Sequence, residues 1–501
     1  MNKICSNIVA NYISKVWSFI SIYLFIPIYI NLLGIENYGI IAFYSTLSAF
    51  IAVADGGLTA TLSREFAGKG FKDPYYARSL LYTIERIYII ILLFVVCLIF
   101  FFSDFIVQTW LISDKIPYQD LLLYVRLMGV IVALQLFTTL HQGGLIGLQK
   151  QVLSNTLYIL YSIARSALVI IILLLGGGLL GYFVWQLICS IIYLFFLIYY
   201  LKSSIPLKLK ASVDFSLFSD IWKYSLGMMY ISVLTALSTQ VDKLTIANYL
   251  SLKSLGEYSL AASLGQIAYI ISYPIMIAIF PELTKNIVEN QKGNAIKMFH
   301  RYAFFISCIA STSTLVIFIN AYDIILIWTS NVEIANSVNK PLRLLLIGGM
   351  FLALQLIPYY WALANKHTRA NIIVDTILVL TLILCLPYFI SIYGLNGAAI
   401  IWMALNFLSF IFLSALVFSK YMPIKDIKRW IVIDLLVPIS IAIILCIAIY
   451  FLTFDISHHY WTIIYTFIGS LIILLFDFWV YKKYICNYGT RESVVVNSYC
   501  N

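Results

Sequence analysis

A chain of 501 residues that is 62% hydrophobic and 11% charged, with a mean hydropathy of +0.96, lies far outside the range of soluble domains. Those run at roughly half apolar and a quarter charged. The formal net charge of +10 does not point to nucleic acid, because the basic residues are scattered in short loops between apolar runs and form no basic face.

The amino terminus carries Lys3 and then an apolar run through Ile30 without a small-x-small cleavage site, which reads as an uncleaved first span. Apolar windows follow near residues 12–33, 39–62, 79–102, 121–147, 152–176, 179–201 and 219–249, and then 256–280, 297–320, 341–364, 369–392, 395–418, 430–453 and 460–481. The runs are continuously apolar, without the alternation of a barrel strand, so they predict an all-α polytopic membrane protein of about 14 transmembrane helices. The eight cysteines stand singly, without C-x-x-C spacing, and read as small packing residues.

Lys and Arg divide unevenly between the two sides. With the amino terminus cytoplasmic, the inner side takes Arg64, Lys69, Lys72, Arg78, Lys150, Lys202, Lys208, Lys210, Lys285, Lys366, Arg369, Lys420, Lys425, Lys428, Arg429, Lys482 and Lys483, among others. The outer side keeps Lys115, Lys253, Lys340 and Arg343. The positive-inside rule then predicts both termini in the cytoplasm.

The chain repeats itself. Leu32 to Gly39 (LLGIENYG) returns as Leu252 to Ser259 (LKSLGEYS), and Ala133-Leu134-Gln135-Leu136 returns as Ala353-Leu354-Gln355-Leu356. Gly147-Leu148-Gln149-Lys150 matches Leu363-Ala364-Asn365-Lys366, and Gly178-Leu179-Leu180-Gly181 matches Gly394-Leu395-Asn396-Gly397, at a slightly shorter offset. Each unit holds six spans, an even number, so the repeat is parallel rather than inverted. Two six-helix lobes are expected, residues 1–210 and 211–420, with a cleft between them. Residues 421–501 form a basic linker, two unrepeated helices and a cytoplasmic tail.

The motif L-G-x-x-x-Y-G (Leu33, Gly34, Tyr38, Gly39), the turn Asp55-Gly56-Gly57-Leu58, Arg64-Glu65, Gln240-Val241-Asp242-Lys243 and Leu255-Gly256-Glu257-Tyr258 resemble the polysaccharide-biosynthesis flippases. These are the Wzx-type transporters of O-antigen and capsule repeat units, within the multidrug/oligosaccharidyl-lipid/polysaccharide exporter superfamily. The resemblance covers roughly residues 1–420. It implies movement of an undecaprenyl-diphosphate-linked oligosaccharide across a bacterial cytoplasmic (inner) membrane, with no cofactor. Its further implied partners are membrane lipids, a polysaccharide polymerase and a chain-length regulator. Many members are predicted with twelve spans, and the extra pair here is similar to the lipid II flippase branch.

A charged side chain at mid-bilayer costs at least ~2.5–3.5 kcal/mol, so ionisable residues within spans are functional candidates. They are Asp55, Glu85, Arg86, Arg126, Arg165, Asp242, Lys243, Asp375, Asp434 and Asp477. Arg126, Arg165 and Lys243 are the expected basic lining for a diphosphate or acidic sugars, with Arg86 and the gate residue Arg64 as further substrate contacts. Against this, Arg126 and Arg165 can snorkel or pair with acids. Asp55, Asp242 and Asp375 are the candidates for ion coupling. Asp242 can instead neutralise Lys243, and Asp55 can cap the helix break at Gly56-Gly57. Asp434 and Asp477 are expected to pair with linker bases or face solvent. Pro27 and Pro274, each early in a lobe, mark expected helix breaks. His458-His459 alone is weak as a metal site, and no metal is expected.

A membrane-embedded polymerase or glycosyltransferase needs acid/base groups outside the bilayer, whereas the longest outer connections, near 103–120 and 320–340, are only about 20 residues. No nucleotide, metal or nucleophile motif appears, so the chain reads as a non-enzyme with no catalytic residues. A multidrug-type cation antiporter would need an acid-lined pocket. The loop from Arg64 to Arg78 also lacks the G-x-x-x-D-R-x-G-R pattern of the major facilitators.

Overall fold

The computed structural model describes residues 3–70, 73–113, 115–205, 216–453 and 459–481. Lys72, Lys208, Lys210, His458, Lys482 and Lys483 lie outside the described residues, as do the side chains of Lys69 and His459 and the tail beyond Tyr481. Among the described residues every element is helical and there is no strand. That is the outcome expected where no water can satisfy backbone N–H and C=O groups.

Two compact units divide the chain between Ser259 and Leu260. The first runs through α1 (Lys3–Leu33), α2 (Ile35–Ile51), a 3-10 turn (Ala52–Asp55), α3 (Leu58–Glu65), a π-type turn (Phe66–Gly70) and α4 (Pro74–Trp110). It continues with α5 (Tyr118–Gly147), α6 (Gln151–Ile163), a second π-type turn (Ala164–Leu168), α7 (Val169–Leu174), α8 (Gly178–Ser203) and α9 (Ser216–Tyr249), and it opens α10 (Leu252–Gly265). The second unit holds α11 (Ile267–Val288), α12 (Lys292–Ile319), α13 (Ala321–Thr329), α14 (Val332–Leu354), α15 (Leu356–Ala364), α16 (Thr368–Tyr393) and α17 (Leu395–Tyr421). It ends with α18 (Ile424–Arg429), a π-type turn (Trp430–Leu436), α19 (Val437–Thr453) and α20 (His459–Val480).

Twelve helical segments among the described residues are long and apolar enough to cross a membrane. Helices α9 and α20 coincide with the two remaining sequence windows, 219–249 and 460–481. Several windows expected to be single helices are interrupted, two of them at glycines. The second breaks at Gly56 and Gly57, whose φ values of 57° and 74° lie in the left-handed region that favours glycine. The eighth window splits after Gly265 into α10 and α11, where a side chain on Gly349 of α14 would collide with the Gly265 carbonyl.

In the first unit α5 is central, packed on α4, α8 and α3, while α1 packs on α6. Helix α9 packs on α2, the 3-10 turn, α3 and α4, and so belongs to this unit by contact. The repeat is visible in local conformation as well. Gln149 and Lys366, ending α5 and α15, both adopt left-handed φ (58° and 57°). In both turns the next N–H closes back on the preceding helix, from Lys150 to the Leu145 carbonyl (2.9 Å) and from His367 to the Ala362 carbonyl (2.8 Å). The unrepeated C-terminal helices are anchored within the second unit, where buried Trp430 lies 4.7 Å from Phe418, which lies 5.4 Å from Phe299.

Candidate functional site

Arg165 occupies a pocket built by a wide helical turn. The π-type turn at Ala164–Leu168 leaves successive carbonyls to be satisfied from outside the helix, and neighbouring helices supply the donors. Trp185 Nε1 donates to the Ala164 carbonyl (2.9 Å), Gln186 Nε2 to that of Arg165 (3.2 Å) and the Tyr29 hydroxyl to that of Ser166 (2.8 Å). Held this way, the half-buried guanidinium lies 5.9 Å from the ring centres of both Tyr44 and Tyr161. Gln135 Nε2 donates to the Tyr44 hydroxyl (2.5 Å), and Tyr161 stacks on Tyr193 at 4.3 Å. The residue stands ~21 Å along the span from Gln151 and ~14 Å from Leu174 at ~1.5 Å per residue, so it is deep in the bilayer. Among the described residues no carboxylate pairs with it.

Arg86 lies ~18 Å into α4 from Pro74 and is exposed. Its guanidinium donates to the Tyr82 hydroxyl (2.6 Å) and sits 4.8 Å from that ring, again with no carboxylate among the described residues. Arg126 turns toward α4, where Nε donates to Ser103 Oγ (3.3 Å) and the guanidinium lies 5.8 Å from Phe100. Lys243 Nζ donates to Gln240 Oε1 (3.2 Å). The Asp242 carboxylate, 4% exposed, instead accepts from the Lys243 backbone N–H (2.8 Å) and the Tyr258 hydroxyl (2.8 Å). Consecutive helical side chains diverge, so Asp242 and Lys243 do not face each other. Arg126, Arg165 and Lys243 thus have separate sets of partners and share none. Arg64 is exposed, 4.0 Å from Glu65, which also accepts from the Tyr76 hydroxyl (3.0 Å).

Asp55 accepts from the Thr59 and Tyr88 hydroxyls and, at 3.4 Å, from the Thr59 backbone N–H, so it closes the start of α3 across the glycine break. Asp375 lies half-buried on α16, one turn beyond Asn371, and makes no hydrogen bond or ion pair among the described residues. Asp434 and Asp477 do not face solvent, since both are buried. Asp434 sits on the Trp430–Leu436 turn and meets His300 Nδ1 at 2.5 Å, with His300 Nε2 3.5 Å from Asp426.

Buried histidines are what the sequence reading passed over. His141 and His300 lie within apolar spans and each contacts a buried carboxylate. Applying the rule for ionisable groups in spans to histidine would have found both. Truncating Asp434 to alanine leaves His300 without its buried partner, a change typically costing ~3–5 kcal/mol. The thermal midpoint of the Asp434→Ala protein in detergent is expected to fall clearly, and to recover in part when His300→Leu is added to Asp434→Leu.

The arrangement is a fold shared with solved transporters of the MOP superfamily. The lipid II flippase MurJ, in its inward closed conformation, superposes with a TM-score of 0.71 at 17% identity, over 96% of this chain and 99% of that one. A multidrug resistance MATE family transporter of the MOP superfamily, inward-facing, gives 0.66 at 14% identity over 83% of this chain and 96% of its own. The chain belongs to the polysaccharide biosynthesis protein family, whose profile matches residues 4–287. A Shigella flexneri protein named "Putative O-antigen transporter" is 24% identical over 390 residues, 74% of this chain and 87% of that protein. The chain is therefore a multi-pass membrane protein of the polysaccharide biosynthesis protein family, with a fold like that of the solved MurJ and MATE structures.

Proposed function

We propose that the protein moves an undecaprenyl-diphosphate-linked oligosaccharide, an O-antigen or capsule repeat unit, from the inner to the outer leaflet of a bacterial cytoplasmic membrane. It works by alternating access of lobes 1–210 and 211–420, with 421–501 attached and both termini cytoplasmic. The observation that carries this reading is the pair Arg86 and Arg165, guanidinium groups held at membrane depth against tyrosines without a carboxylate counter-ion among the described residues. Uncompensated cations in a bilayer are costly, and an anionic ligand such as a diphosphate offsets that cost by bidentate contact. Arg126, Lys243 and Arg64 extend the path. Asp55, Asp242 and Asp375 carry the coupling ion, and a polymerase and chain-length regulator take up the delivered unit. The protein makes and breaks no covalent bond. An acid-lined cation antiporter is less well supported, because the exposed membrane-depth charge at Arg86 is positive.

The test is reconstitution into vesicles with a fluorescent lipid-diphosphate oligosaccharide and an impermeant quencher. Protein-dependent flipping, accelerated by a pH gradient, is expected, and Asp55→Asn with Asp242→Asn should remove the acceleration. Transport of organic cations with no flipping would overturn the reading.

A further inference from the structure

Glu85 and His141 are buried, and the function above uses neither. Glu85, on α4, turns into the first unit with 7% of its surface exposed, and His141, on α5, is fully enclosed. One Glu85 oxygen lies 2.9 Å from His141 Nε2 and the other 3.1 Å from Nζ of Lys202 at the end of α8. The second ring nitrogen of His141, Nδ1, lies 2.8 Å from the Phe137 carbonyl oxygen.

A carbonyl only accepts, so Nδ1 bears a hydrogen, and a neutral imidazole has no second one. With Glu85 ionised and His141 neutral, two lone pairs would face each other at 2.9 Å among buried side chains. The contact is satisfied by one added proton, whether it is written as imidazolium with carboxylate or imidazole with carboxylic acid.

The geometry points to Glu85 and His141 as a binding site for one exchangeable proton, linked to anion binding at the adjacent Arg86. The link follows from helix geometry. Neighbouring residues on α4 diverge by ~100°, so Glu85 enters the interior while Arg86 is exposed, and a change of charge on one is felt by the other. Lys202, with its side chain 48% exposed, gives the site a polar edge. Of the other ionisable groups close by, Tyr88 lies one turn along α4 and faces Asp55 beside α3, and Tyr82 faces Arg86. Among the described residues no other acid or base lies within ion-pair distance of Glu85.

The linkage to Arg86 rests on the transport reading; the proton site does not. The test uses the full chain, labelled with 15N-histidine, in lipid nanodiscs, with the His141 signal assigned through His141→Gln. Across the pH range in which the protein stays folded, the His141 nitrogens should move through a single one-proton step. Glu85→Gln or Lys202→Gln should displace that step by about one pH unit or more. A His141 signal that stays unchanged across the range in the unsubstituted protein overturns the site. Adding undecaprenyl diphosphate to weakly buffered protein should exchange about one proton per lipid bound, and His141→Gln should abolish the exchange. Binding without proton exchange overturns the link. If the lipid does not bind at all, the transport reading fails, and the titration still decides the proton site.

Discussion

Arg165→Ala is expected to lower flipping of the lipid-linked oligosaccharide by about 10- to 150-fold per charge-assisted hydrogen bond lost, at ~1.5–3 kcal/mol each. The fold around it should survive, because the bonds that hold the turn run to backbone carbonyls of Ala164, Arg165 and Ser166, which alanine retains. Arg165→Lys keeps the charge but loses the planar fork, so it should fall between the two. The measurement is the vesicle assay together with surface polysaccharide in a strain lacking the native protein, with membrane insertion checked by immunoblot. Full activity in an Arg165→Ala, Arg86→Ala protein would remove both residues from the substrate path.

A second large effect is expected at the glycines of the repeated motif. Gly39 on α2 and Gly256 on α10 meet reciprocally within the first unit. A Cβ on Gly39 would run into the Leu252 carbonyl, and one on Gly256 into the Ile35 carbonyl. The obstacle in each case is backbone, which cannot rotate aside, and small residues are what permit such close approach in membrane helices. The junction before α10 is also fixed to the end of α4, through Leu252 N–H to the Ile112 carbonyl (3.3 Å) and Asn248 Nδ2 to the Thr109 carbonyl (3.1 Å). Gly39→Val or Gly256→Val should therefore cost ~1–3 kcal/mol or more from overpacking. The expected result is a lower thermal midpoint and loss of transport in protein that still inserts. Gly34→Ala is the comparison, because its site has open space but a φ of 84° that strains alanine, so its effect should be the smaller backbone cost of ~1–2 kcal/mol.

Local pattern alone settled much of this protein. Continuous apolar runs place the spans because lipid leaves the backbone only its own hydrogen bonds, and the two copies of the glycine-tyrosine motif mark the duplicated unit. The same pattern singled out Arg86, Arg126, Arg165, Asp242 and Lys243, since a charge in an apolar run is visible without any structure. Partners are a different matter. Nothing in the local sequence says that Gln240 and not Asp242 receives Lys243, that three donors from α1 and α8 converge on the turn around Arg165, or that Glu85 meets His141. Nor does it say that Gly39 and Gly256, one from each copy of the motif, lie against each other. Such pairings depend on which faces of distant helices come together, and packing across the whole unit decides that, whereas helix formation depends only on neighbours along the chain.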